Sequence, residues 1–297
     1  MHHSTPQSLE PALYVVATPL GNLRDITLRA LDVLGGVDVI AAEDTRNTRH
    51  LLTQHGMSPQ RLLALHQHNE RAGADKVIAL LREGQSVAFV SDAGTPAVSD
   101  PGALLVRAVA DAGLRVIPVP GPSALATALS ASGLDKPQVL FYGFLPNKAV
   151  ARCAALQALR EREETLVFYE APHRVLASVE DMRDVLGGER EIVLARELTK
   201  LFESIHRCPL ADAPAWLRSD PNHQRGEFVL LVSGAGQRKN ELDAQVEQML
   251  RALLEELPLK QAVQLTAKIS GVSRNVLYPQ ALAINAERGA VDSATGV

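Results

Sequence analysis

Short apolar runs alternate with amphipathic stretches along much of the chain. Residues 13–17, 37–42, 62–65, 87–91 and 116–119 are apolar runs bounded by turn-forming residues, the pattern of buried strands. Between them, 26–34, 47–55, 69–82 and 102–112 carry apolar residues at helical spacing, and Gly35-Gly36 closes the first of these stretches. Strands alternating with helices predict parallel βαβ units.

Pro118, Pro120 and Pro122 then punctuate the chain, which places a domain boundary there, between 12–119 and 120–236. The second half repeats the alternation. Helices are predicted over 123–132, 149–163 and 175–186, and strands over 139–141, 165–169 and 192–195. Strands over 202–207 and 227–233 follow and are expected to pair antiparallel. Gly234-Ala235-Gly236 with 237–240 reads as a linker. Helical stretches over 241–255, 259–270 and 273–284 form an appendage, 241–285, in a helix-turn-helix-like order. Residues 286–297, small and polar, are expected to be disordered.

Composition refines this picture. The chain is 46% hydrophobic and 22% charged but only 4% aromatic, so its core is built from Leu, Val, Ile and Ala, which suits helices on a parallel sheet. A net charge of −4 argues against nucleic-acid binding through bulk positive charge, while leaving room for local basic surfaces. Cys153 and Cys208 fit neither a metal spacing nor a disulfide framework, so no metal is expected and a reducing, cytoplasmic compartment is. No apolar run is long enough to span a bilayer, and residues 1–10 show no secretory signal.

Candidate chemistry gathers where strands end. Thr18-Pro19-Leu20-Gly21-Asn22-Leu23 leaves the first strand, at the carboxyl end where open α/β sheets bind ligands. It holds one Gly, and its Pro lacks an N–H, so it reads as a tight turn rather than a phosphate cradle. Glu43 and Asp44 follow the second strand. They suit a ribose hydroxyl or a proton, or simply favour a helix start beside Arg46 and Arg49. Ser91-Asp92-Ala93-Gly94-Thr95-Pro96 is the strongest local signal, because small residues let a ligand approach the backbone. Ser99-Asp100-Pro101-Gly102 beside it reads as a cap and a helix start. Ser123 and Ala124 sit at the domain boundary, where ligands are favoured, although Ser123 is also a natural cap. Tyr169–Arg174 brings together an acid, an imidazole and a guanidinium suited to a bidentate grip on phosphate. Lys200, after the strand over 192–195, could help deprotonate a hydroxyl if its pKa were depressed; otherwise it is a solvated charge.

TPLGNL, AEDTR, SDAGTP, PGPSA, YGFLP, YEAPHR, RELTK and GEFVLLV occur in this order between about Leu13 and Ser233. Together they resemble the bacterial 16S rRNA (cytidine-2′-O)-methyltransferases of the tetrapyrrole methylase superfamily. The resemblance implies two α/β domains of the tetrapyrrole methylase type, with S-adenosylmethionine bound, folded up, in the cleft between them, plus a small helical C-terminal region. It implies a homodimer acting on a cytidine of 16S rRNA in the small ribosomal subunit. It places cofactor contacts at Pro19, Ser91, Asp92, Thr95, Ala97, Ser123, Ala124, Glu170 and Leu198. Glu43 falls where porphyrin-precursor enzymes of the superfamily carry an Asp proposed as proton acceptor. That branch carries Gly-Asp-Pro where this chain has Ser91-Asp92-Ala93, and its first loop is richer in Gly; both differences favour the RNA branch.

A ribose hydroxyl is a weak nucleophile, so alignment and a path for its proton are required. Glu43 or Lys200 is expected to take the proton, with Arg46, His173 and Arg174 holding RNA. Three rival readings stand beside this one. They are a tetrapyrrole C-methyltransferase, a nicotinamide dehydrogenase disfavoured by the glycine-poor first loop, and a non-catalytic ribosome assembly factor.

Overall fold

The computed structural model describes residues 9–58, 61–235 and 244–294. Strands β1 (Leu13–Val16), β2 (Val39–Ala42), β3 (Arg61–Ala64), β4 (Val87–Val90) and β5 (Val116–Val119) form an all-parallel sheet in the order β3-β2-β4-β1-β5. Helices α1 (Leu28–Gly36), α2 (Thr45–Gln54), α3 (Glu70–Arg82) and α4 (Ala103–Asp111) alternate with the strands. In β4, Val87 and Phe89 enter one core cluster and Ala88 and Val90 enter another. Successive side chains leave opposite faces of a strand, so β4 is packed on both sides and its apolar run is continuous. The chain runs outward from β1 to β3, then returns to insert β4 beside β1. Loops leaving the carboxyl ends of these strands therefore open a crevice.

Helix starts fix those loops. The Thr27 hydroxyl accepts the Ala30 N–H at the start of α1, and the Asp44 carboxylate accepts the Arg46 N–H at the start of α2. No side chain of its own loop caps α4. Glu70 of α3 does so instead: its Oε1 accepts the N–H groups of Gly102, Leu104 and Leu105 at 2.9, 3.0 and 3.2 Å. The cap expected from Ser99-Asp100 is thus supplied from elsewhere.

Helix α5 (Ala124–Ser132) leads to a second, mixed sheet of β6 (Val139–Phe144), β7 (Thr165–Glu170), β8 (Glu191–Arg196), β9 (Ser204–Pro209) and β10 (Phe228–Val232). Its order is β6-β7-β10-β8-β9; β6 and β7 are parallel and the other pairs antiparallel. The strands expected over 202–207 and 227–233 do not pair with each other. β9 takes the outer edge of β8, and β10 enters between β7 and β8. Helices α6 (Ala149–Leu159), α7 (Val175–Leu186) and α8 (Ala213–Ser219) cover one face through Leu156, Met182 and Leu217, and α5 lies on the other through Ala128. Both sheets belong to one compact unit ending at Gly234.

A separate unit follows, made of α9 (Ala244–Glu256), α10 (Leu259–Ser270) and α11 (Arg274–Ala294). Leu250, Ala262, Val263, Leu277 and Ala281 form its own core. α10 ends on Gly271 in the left-handed conformation at φ 74°, which turns the chain into α11. The disorder expected from 286 onward is not met as far as Ala294, because α11 continues through it. The last three residues of that tail, the linker from 236 to 240 and the first three residues of the helix predicted over 241–255 lie outside the described residues. Among the described residues, no helix is long and apolar enough to cross a membrane.

Candidate active site

Loops leaving β1, β2, β4 and β5 gather on one side, and the ends of β7, β8 and β10 face them. Between them lies a cavity of about 350 Å³, within the span of roughly 300–1,000 Å³ usual for small-molecule sites. Thr95, Ser123 and Ala124 line it from the first group, and Glu170 and Leu198 from the second. The sequence reading passes over the aromatic wall of Phe144, Tyr169 and Phe228, and over Leu20 and Asp100. Tyr169 is locked in place by edge-on contacts with Phe141 and Phe144, at centroid distances of 4.9 and 5.7 Å. Burial pushes its phenol pKa up.

The loop from Ser91 to Gly102 carries four residues at positive φ: Gly94 (75°), Ala97 (66°), Ser99 (65°) and Gly102 (125°). Ala97 and Ser99 are strained there, and such strain survives only when the surroundings impose it. Thr18 and Gly94 exchange two backbone hydrogen bonds, both 2.9 Å. The Thr95 hydroxyl donates to the Pro122 carbonyl at 2.9 Å, and the Ala97 N–H to the Pro101 carbonyl at 3.2 Å. At Gly102 a side chain would run into the buried Phe89 ring.

Three carboxylates line the cavity, in different electrostatic settings. Glu170 is 2% exposed and fully engaged. It accepts hydrogen bonds from the Arg174 guanidinium, the Ala171 N–H at 2.7 Å and the Ser178 hydroxyl at 2.6 Å. Glu227 takes the Lys200 ammonium at 2.8 Å. Asp100 has no cation within ion-pair distance among the described residues. Burial, then the charge of Glu43 and, more weakly, of Asp92, push its carboxyl up to about 6 against the pull of the Ser91 hydroxyl. Glu43 is raised as well, chiefly by burial and then by Asp92 and Asp44, although the Asp92 N–H and His66 oppose this.

The structure corrects several expected roles. Lys200 sits between Glu197 and Glu227 at 2.9 and 2.8 Å. Burial works to lower its pKa, but the two carboxylates outweigh burial and hold it above the ordinary value. Lys200 therefore stays protonated and is not a base; its stem packs over Gly21 of the first loop. Arg174 is largely buried and engaged with Glu170 and Asn147 rather than open to a phosphate. The Asp92 carboxylate accepts the Asp44 N–H and the Asn47 amide, each at 3.1 Å, and so ties the β4 loop to α2. Ala97 shapes the loop without lining the cavity. Glu43 does not line it either; its Oε2 lies 3.5 Å from the Asp92 nitrogen. Pro19, Ser91 and Asp92 border a second, smaller cavity of about 210 Å³ beside Asn47 and His50. Residues expected to meet one ligand are thus divided between two neighbouring spaces. Arg46 and His173 are exposed, Arg46 lying against Asp44 with 88% of its side chain open to solvent.

Residues 12–214 match the tetrapyrrole (corrin/porphyrin) methylases, and residues 240–285 match the RsmI C-terminal HTH domain. The chain is 53% identical to the ribosomal RNA small subunit methyltransferase I of Pseudomonas aeruginosa over 272 residues, covering 91% of this chain and 96% of that one. It is 50% identical to the protein of the same name from Escherichia coli O157:H7 over 280 residues, covering 94% and 98% respectively. Among solved structures it is similar to the uroporphyrin-III C-methyl transferase of Thermus thermophilus complexed with S-adenyl homocysteine. That likeness has a TM-score of 0.53 at 16% identity and covers 75% of this chain and 97% of the other.

Proposed function

Because the chain belongs to the tetrapyrrole methylases, and among them to the ribosomal RNA small subunit methyltransferases I, we propose that it methylates the ribose 2′-hydroxyl of a cytidine in 16S rRNA, with S-adenosylmethionine as donor. One observation carries this reading. The cavity between the two sheets has an aromatic and aliphatic lining, three carboxylates and, among the described residues, no Lys or Arg. That donor set fits a nucleoside bearing a sulfonium cation, because π-faces accept a base and carboxylates favour positive charge. It offers a pyrophosphate cofactor no guanidinium or ammonium among the described residues.

When bound, the sulfonium supplies an activated methyl group. The chain's own residues orient and enclose it. Thr95, Ser123 and Ala124 hold one side through the two joined loops, and Glu170 and Leu198 the other. Of the residues considered for RNA, Arg46 and His173 are exposed and available to backbone phosphates. Leu28, Leu201 and Phe202 are 81%, 90% and 67% exposed; a homodimer that covers them is part of the proposal. A ribosomal substrate places the enzyme in the cytoplasm.

The test is transfer of labelled methyl to purified small subunits, followed by digestion to nucleosides. Label recovered as 2′-O-methylcytidine is the expected result. Label on a base, on a porphyrin precursor alone, or nowhere overturns the reading. A protein that binds labelled donor without ever transferring it would be the assembly factor instead.

A further inference from the structure

Resting on that reading, we infer that Asp100 accepts the proton of the attacking ribose hydroxyl. The carboxylates that line the cavity differ in what already holds them. Glu170 is consumed by Arg174, Ser178 and the Ala171 N–H, and Glu227 by Lys200. Only Asp100 faces the same space without a cation among the described residues. A carboxylate already paired is a poor base, because taking a proton breaks the pair. Lys200 has its proton already, and Glu43 stands outside the cavity lining.

Asp100 is also held where a base must be held. It lies between two positively twisted positions, Ser99 and Gly102, in a loop closed by the Ala97–Pro101 hydrogen bond. Directly after it, Glu70 clamps the first turn of α4 through three N–H groups. Glu70 is thus a positioning residue for Asp100.

The groups facing Asp100 come from three elements. Glu43 stands at the end of β2, Ser91 and Asp92 at the end of β4, and Tyr169 on β7. None is cationic. Burial and like charge together keep the carboxyl pKa at about 6, so the group is ionised at neutral pH yet more basic than an ordinary aspartate. As the 2′-oxygen bonds to the methyl carbon, the carbon–sulfur bond breaks and its electron pair stays on sulfur, leaving a thioether. The hydroxyl proton passes to an Asp100 oxygen and then to solvent. Glu43 acts through Asp100, raising its basicity by repulsion.

Single-turnover methyl transfer to small subunits, followed from pH 5 to 9, tests this with Asp100→Asn and Glu43→Gln. Donor affinity is measured in parallel by calorimetry. The wild-type rate should climb tenfold per pH unit along one acidic limb and level off above it, with the bound sulfonium holding that limb at or below the value of about 6 in the free protein. Asp100→Asn should lose about 10²–10⁴-fold at saturating donor, and the pH dependence with it, beyond any loss of donor affinity. Glu43→Gln should move the acidic limb to lower pH, a shift that a purely structural role for either residue does not produce. An Asp100→Asn enzyme that keeps its plateau rate at saturating donor overturns the inference. So does a limb left unmoved by Glu43→Gln. Wild-type protein that forms no 2′-O-methylated product sinks the methyl-transfer reading itself, a different result from these.

Discussion

Glu170 and Asp100 face one cavity from opposite sheets, and their surroundings differ in each respect that sets a charge. Glu170 ends a central strand of the mixed sheet, with almost no solvent contact and with Arg174 and Ser178 folded back onto it. Asp100 sits in a strained loop of the parallel sheet, half-buried, among Glu43, Asp92 and an aromatic ring. The first arrangement pairs both oxygens of its carboxylate with donors of its own wall. The second leaves an acid poised to change state. Two carboxylates at one site can thus divide the work, one holding charge and the other moving protons, because one wall supplies a guanidinium and the other supplies like charge.

The largest effect expected from breaking this contrast is on the fixed anion. Glu170→Ala leaves Arg174 mostly buried with its main partner gone, which should cost about 3–5 kcal/mol. A urea titration reads it as a lowered midpoint, and donor affinity should fall with it. A loss below about 1 kcal/mol would mean that Arg174 turns out to solvent freely, as a surface pair would, and that the pair does not hold this wall together. Next comes Glu70→Ala, which removes the acceptor of three N–H groups at the start of α4. Loss of a cap costs about 0.5–2 kcal/mol. Hydrogen exchange at Gly102, Leu104 and Leu105 should quicken more than in the sheets. Uniform quickening throughout the unit would show that the clamp is not local.

These same groups show how far the sequence could be read. β4 was legible because both its faces are packed, so Val87, Ala88, Phe89 and Val90 are all apolar. β9 and β10 were legible as strands but not as neighbours, because an apolar pattern states what is buried and not which edge it meets. α8 was missed: it is seven residues long, and Pro214 in its first turn reads as a break although a helix start tolerates it. Of the site, Thr95, Ser123, Ala124, Glu170 and Leu198 were placed by motif and do share the cavity. Asp100 was read as a cap, since Ser-Asp-Pro-Gly has the form of a helix start. The true cap is Glu70, 32 residues before Gly102. Lys200 misled for the same reason, its decisive partner Glu227 being 27 residues distant. Charge state depends on such long-range neighbours, and no local pattern carries them.

Stability against pH gives a third effect and sharpens the contrast from the titrating side. The Asp100 carboxyl moves from an ordinary 3.8 to about 6 in the folded protein. The folded state therefore holds a proton that the unfolded chain has released, and stability from this group falls as pH rises between those values. Above about 6 the wild type carries the full cost of a desolvated charge; below 3.8 it carries none. Asp100→Asn should thus match wild type in unfolding midpoint near pH 4 and exceed it at pH 8, while losing turnover. A midpoint difference that is the same at both pH values would remove the titration from this account.

The smallest effect belongs to Lys200→Met. The ammonium bridges Glu197 and Glu227, but Lys200 is 29% exposed and Glu227 79% exposed at the side chain. Solvent screens such a pair, and the usual worth is about 0–1 kcal/mol. The methionine side chain can still pack its stem over Gly21, so the contact between the two loops survives without the charge. Glu227 is freed by the change and adds an unpaired carboxylate to the cavity lining. That new negative charge should raise the Asp100 pKa further and move the acidic limb of the rate profile upward, with the plateau rate little altered. If instead the plateau collapses at every pH while the limb stays in place, Lys200 acts on the reacting atoms directly, and the division between a fixed and a titrating wall is wrong.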